Sequence, residues 1–181
     1  MNKAVRMRRV ATALVAGAAT TLGLAVAAAP AQATPTPFTL RMTAVHSGKS
    51  LTASSADVGS AVFQSTYFGT ANQKWRFNFT GGSIAQIVNE DSHLCMQPEN
   101  SGASLVRLQI CDDPNDITHP STQFWKQRQT LFNGKVVNRW ENVTTGMYLD
   151  ISGASQSNGA LLIQFPPTGG SNQLFSHAIV P

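Results

Sequence analysis

Past residue 33, this chain of 181 residues has no stretch with a sustained helical period, and it has only two cysteines, Cys95 and Cys111. In an exported chain such a pair reads most simply as one disulfide closing a short loop. The rival reading, a metal site, needs further ligands, and only His93 and His119 lie near them in sequence. Catalytic signatures are missing too: there is no Gly-x-Ser-x-Gly, no His-Glu-x-x-His and no glycine-rich phosphate loop after a strand. His46, His93, His119 and His177 are scattered beside loops, which favours surface roles over general-base roles. Glu90 and Asp91 are neighbours in sequence, and adjacency alone does not set two carboxylates at a glycosidase spacing. The expectation is a protein that is not an enzyme, with no metal and no cofactor.

Basic charge is also scarcer than the totals imply. The thirteen Lys and Arg outnumber the nine Asp and Glu, but Met1–Ala33 holds four of the former and none of the latter, leaving nine of each. Lys3, Arg6, Arg8 and Arg9, the apolar run from Val10 to Ala29 and the Ala31-Gln32-Ala33 site predict a cleaved signal peptide over 1–33. A retained membrane anchor is the alternative, disfavoured by the small residues of the run and the cleavage site that follows it. The Arg8-Arg9 pair matches a twin-arginine signal poorly. The expected mature chain, 34–181, is neutral, secreted and without a membrane span, and composition no longer argues for a nucleic-acid partner. Its length suits one domain with one core.

What is present is repetition. Trp75, Trp125 and Phe175 stand fifty residues apart, each two positions after a glutamine: Gln73, Gln123 and Gln173. Behind each Gln-x-aromatic end lie matching segments: Ser47–Leu51 and Gly59–Val62, Cys95–Gln97 and Leu105–Leu108, and Tyr148–Ile151 and Gly159–Leu162. Each copy alternates apolar and polar residues over four to six positions between Gly, Ser, Asn and Pro clusters. Leu40–Met42, Ile87–Asn89 and Val136–Asn138 add a strand before each copy. The pattern predicts about four strands per repeat, over about 38–80, 81–130 and 131–181, in an all-β, closed or nearly closed barrel. Trp75, Trp125 and Phe175 are its expected core ring about a pseudo-threefold axis.

The three Gln-x-aromatic ends, with the "GKSLTAS", "LCMQP", "MYLDISGASQSNGALLIQF" and "GGSNQLF" segments, resemble the ricin-type β-trefoil lectin domain, the carbohydrate-binding module of many secreted actinobacterial hydrolases. The likeness covers nearly the whole of 34–181 and implies a β-trefoil fold. It also implies what a sugar-binding repeat contains: an Asp after the Cys-Leu or equivalent pair, an aromatic about fifteen residues on, and an Asn-Gln near the end. The carboxylate accepts from two adjacent hydroxyls, the aromatic face stacks on the pyranose ring, and the amides serve the remaining hydroxyls.

By that comparison the third repeat keeps Asp150, Phe165, Asn172 and Gln173, and departs at Ile163; Gln164 should face the other way by strand alternation. The first repeat has Thr52 and Ser65 at the carboxylate and aromatic positions, with Tyr67 and Phe68 nearby, and the second has Gln97, Gln109 and Thr122. Asn72 and Gln73 persist in a repeat that has lost its other ligands, so Asn172 and Gln173 are expected to be partly structural. The implied function is a secreted lectin-like protein with one weak sugar site in the third repeat and a glycan or polysaccharide as partner. The alternative is a β-trefoil interaction protein, such as a toxin targeting subunit, inhibitor or assembly partner, that contacts a protein through the loop 112–121. That loop carries Asp112, Asp113, Asn115 and Asp116 but lacks the Gly and terminal Glu of an EF-hand, and reads as a solvated acidic loop.

Overall fold

The computed structural model describes residues 38–115 and 121–181. The expected signal peptide over 1–33 lies outside them. Among the described residues twelve strands divide into three sets of four. The first repeat contains β1 (Leu40–Ala44), β2 (Ser50–Ala53), β3 (Val62–Ser65) and β4 (Trp75–Gly81). The second contains β5 (Ile84–Asn89), β6 (Cys95–Pro98), β7 (Ser104–Gln109) and β8 (Phe124–Phe132). The third contains β9 (Lys135–Asn142), β10 (Tyr148–Ile151), β11 (Leu162–Phe165) and β12 (Phe175–Ile179). The turns between repeats hold Gly82 and Asn133-Gly134, with the left-handed backbone that tight hairpins require.

The first and last strands of each repeat close a six-stranded ring: β1–β4, β4–β5, β5–β8, β8–β9, β9–β12 and β12–β1 all pair antiparallel. The middle strands form three hairpins, β2–β3, β6–β7 and β10–β11. They meet as a cap through Ile163–Leu105 and through isolated bridges at Ala61–Arg107 and Phe63–Leu161. This is the all-β β-trefoil, and the closed ring leaves those six strands no unpaired edge.

Trp75, Trp125 and Phe175 are fully buried in one core cluster, as their spacing predicts. Trp75 donates its indole N–H to the Leu51 carbonyl and Trp125 to the Met96 carbonyl, each at 3.1 Å. Each tryptophan thereby ties the last strand of its repeat to the second. Phe175 has no such donor. The third repeat places extra bulk elsewhere: fully buried Trp140 occupies the register position of Met42 and Ile87.

The glutamine of each Gln-x-aromatic has one repeated function. Gln73 donates to the Thr66 carbonyl at 2.8 Å and accepts from the Phe68 N–H at 2.6 Å. Gln123 does the same with Ile110 and Asp112, and Gln173 with Pro166 and Thr168. All three are buried, so each amide satisfies backbone groups that would otherwise be unpaired at the end of the hairpin. Cys95 and Cys111 form the expected disulfide, 16 residues apart in sequence, worth about 3 kcal/mol by loop closure.

His177 departs from the expected surface role. His177 lies inside the barrel with ring centroids 4.9 Å from Phe77 and 5.7 Å from Trp140. Trp140 donates its indole N–H to His177 Nε2 at 3.2 Å, and the Asn138 amide nitrogen lies 3.3 Å from Nδ1. Burial lowers its pKa from 6.5 to about 4. The unfolded chain therefore takes up this proton first. The stability associated with the neutral ring is complete above pH 6.5 and falls as pH drops toward 4, by up to about 3 kcal/mol. His177→Gln, which copies Gln127 of the second repeat, keeps an acceptor and cannot titrate; denaturant melts should show a flatter stability profile between pH 6.5 and pH 4 than the parent.

Candidate functional site

The third-repeat hairpin sets its site by register. Tyr148 pairs with Phe165 and Asp150 with Ile163, so Asp150 and Phe165 lie two residues apart along the hairpin and project to the same face. Gln164 projects to the opposite face, as alternation predicts, and is fully buried. A pocket of about 290 Å³ opens on the first face, with Asp150, Ile163, Phe165 and Asn172 joined by Gly153, Ala154 and Thr168. That volume is at the small end for ligand pockets, about 300–1,000 Å³, and suits one ring. Phe165 is 39% exposed, so part of its ring is free to stack on a ligand.

Asp150 is 3% exposed. Desolvation raises its pKa above the ordinary carboxylate value, while the amides of Gln173 and Asn172, and more weakly the nearby His46, pull it back. Asn172 donates to Asp150 Oδ1 at 2.8 Å and to the Ile151 carbonyl at 3.2 Å. In the first repeat Asn72 makes only the backbone bond, to Ala53 at 2.9 Å, together with a contact from Thr70. The Asn therefore pins the hairpin in both repeats and gains a second role where an Asp is present. Of the four expected site residues, Asp150, Phe165 and Asn172 come together around the pocket. Gln173 does not line it: fully buried, its amide engaged by Pro166 and Thr168, it lies behind the pocket.

The corresponding positions of the other repeats are internally satisfied. Thr52 and Ser65 bond each other at 2.7 Å and both accept from Gln73. Arg41 sits 4.5 Å over the Tyr67 ring, covering one face of that aromatic, while Phe68 is 77% exposed. In the second repeat Gln97 accepts from Gln123 at 2.9 Å, and Arg107, in register with Gln97, pairs with Glu99. Of the loop 112–121, residues 116–120 lie outside the described residues; Asp112, Asp113, Pro114 and Asn115 are exposed. Among the described residues no group of His, Cys, Asp and Glu is arranged to hold a metal ion.

A family model of the ricin-type beta-trefoil lectin domain matches residues 38–175. The designed threefold-symmetric protein ThreeFoil aligns with a TM-score of 0.68 at 26% identity, over 78% of this chain and 99% of its own. The exo-β-1,3-galactanase 1,3Gal43A of Clostridium thermocellum aligns with a TM-score of 0.69 at 23% identity over 81% of this chain, which spans only 31% of that enzyme. The ricin B-like lectin of Macrolepiota procera, solved with lactose, aligns with a TM-score of 0.66 at 18% identity over 82% of this chain and 99% of its own. The last two likenesses are of fold. No curated protein matches the chain by sequence.

A buried carboxylate with a raised pKa costs stability wherever it is ionised, and the cost declines as pH falls from its folded value toward its unfolded one. Asp150→Asn keeps the acceptor for Asn172 and removes the charge. Its thermal midpoint at pH 7 should equal or exceed that of the parent, by up to about 1 kcal/mol of stability. A clear loss of stability would make Asp150 a structural residue.

Proposed function

Because the chain belongs to the ricin-type β-trefoil lectin family, a carbohydrate-binding fold, we propose that it is a secreted lectin-like protein that binds one sugar residue in the third-repeat pocket. The observation that carries the reading is Asp150: a nearly buried carboxylate, held by Asn172, in a pocket that also presents Phe165. Its free lone pairs suit two vicinal hydroxyls, which need acceptors when they leave water. Phe165 offers an apolar face to the C–H side of the ring. Affinity is weak, since Ile163 adds no hydrogen bond and Phe165 has no polar tip. The role is binding rather than catalysis. The ligand is a glycan or polysaccharide carrying such a ring at an accessible position. A disulfide is consistent with export, since such bridges persist in oxidising compartments.

The test is a glycan array, with insoluble polysaccharides in parallel, on residues 34–181. Asp150→Ala should abolish binding and Phe165→Ala should weaken it about tenfold. Acidification should release the ligand at a pH above the ordinary carboxylate value of 3.8, because Asp150 must be ionised to accept both hydroxyls. Binding that persists in Asp150→Ala contradicts the proposal.

A further inference from the structure

One wall of the third-repeat pocket is not held by the third repeat alone. Gly153 and Ala154 both have left-handed backbone, φ 64° and 49°. Ala154 carries a Cβ there at a cost of roughly 1–2 kcal/mol, and such a conformation persists when its surroundings fix it. The next carbonyl, of Ser155, accepts two hydrogen bonds, from His46 Nε2 at 2.8 Å and from Gln64 Nε2 at 2.7 Å. Gln64 also donates to the Ser157 carbonyl at 2.9 Å, and Ser47 donates to Gln64 Oε1 at 2.7 Å, which fixes the amide orientation. All three side chains belong to the first repeat. His46 Nδ1 is buried without a hydrogen-bond partner among the described residues, so the bond to Ser155 is what orients the ring.

The other repeats make the arrangement informative. Gln164 grips the second-repeat loop in the same manner, donating to the Asn100 and Gly102 carbonyls while Thr145 donates to its Oε1. At the position matching His46 stands Thr144, whose hydroxyl goes to Ser121 instead. In the second repeat Leu108 replaces the glutamine altogether. Two side-chain donors converge on one carbonyl at the loop that walls the pocket containing Asp150 and Phe165. Neither matching loop is gripped by an imidazole.

Resting on the carbohydrate reading above, we propose that His46 and Gln64 are positioning residues for the third-repeat site: these first-repeat groups hold the 153–155 wall in register with Asp150 and Phe165. The sugar site is then built by two repeats. His46 acts through the wall and does not touch the sugar.

Gln64 is fully buried, and replacing it endangers the fold, so the test uses His46, which is only partly buried. Amide spectra of ¹⁵N-labelled protein and titration with lactose are compared for the parent, His46→Ala and His46→Gln. The glutamine variant keeps an N–H at the reach of Nε2. His46→Ala should shift the Gly153 and Ala154 amides and weaken lactose binding about three- to tenfold, the loss of one ordinary hydrogen bond, with the second-repeat resonances unchanged. His46→Gln should restore both readouts. Unmoved wall amides, or an unchanged affinity despite moved ones, overturn the inference. A parent that binds neither lactose nor any glycan of the array, while His46→Ala still moves the wall and His46→Gln restores it, contradicts the sugar reading and supports the wall assignment.

Discussion

The structure depends on a side-chain amide bonded to backbone. Each hairpin of the cap must end, turn and send the chain into the barrel, and its last residues leave a carbonyl and an N–H without strand partners. Gln73, Gln123 and Gln173 satisfy both groups with one amide apiece, and the following aromatic fills the core beneath. Leaving such groups unpaired in the interior costs about 1–3 kcal/mol each, so three clamps decide whether the hairpins stand at fixed positions over the ring. The Asn before two of these glutamines extends the same logic to the second strand. Where that Asn faces Asp150, the scaffold carries the carboxylate of the proposed sugar site at the cost of one buried charge.

The pseudo-threefold frame separates what is shared from what is specialised. Position by position, Thr52, Gln97 and Asp150 occupy one place, and Ser65, Gln109 and Phe165 another. In the first two repeats these places are filled by neutral groups that satisfy one another or the clamp, whereas the third leaves a carboxylate and an aromatic facing an open pocket. The difference between the two structural hairpins and the proposed binding hairpin is therefore a few side chains on a common frame. At the base of the barrel the symmetry breaks in another way: Phe77, Gln127 and His177 each lie two residues beyond the core aromatic, and the third brings a buried imidazole that Trp140 serves.

Most of the fold was legible because its determinants recur at a fixed interval. The fifty-residue spacing located the core ring, the strand count and the two faces of each hairpin, and the third-repeat Asp, Phe and Asn stood at positions that strand alternation places together. Gln173 was expected to serve both as a ligand contact and as a structural residue, because its amide chemistry suits a sugar as well as a backbone; its burial and its backbone bonds account for the structural part. Gln64 and Gln164 stand one hundred residues apart in matching segments, a signal as regular as the Gln-x-aromatic, and their grip on a neighbouring loop could have been sought there. His46, Trp140 and His177 had no such signal. Their roles come from contacts between repeats at places where the sequence does not repeat, as with the 109-residue separation between His46 and Ser155.

The central claim is that one repeat of three carries the sugar, on a frame common to all. A crystal structure of residues 34–181 soaked with a saccharide that binds in solution tests it most directly. The account predicts one ring per chain, its hydroxyls on Asp150 and its face on Phe165, with the Thr52 and Gln97 positions empty. Sugar density at either of those positions, or away from the third-repeat hairpin altogether, would contradict it.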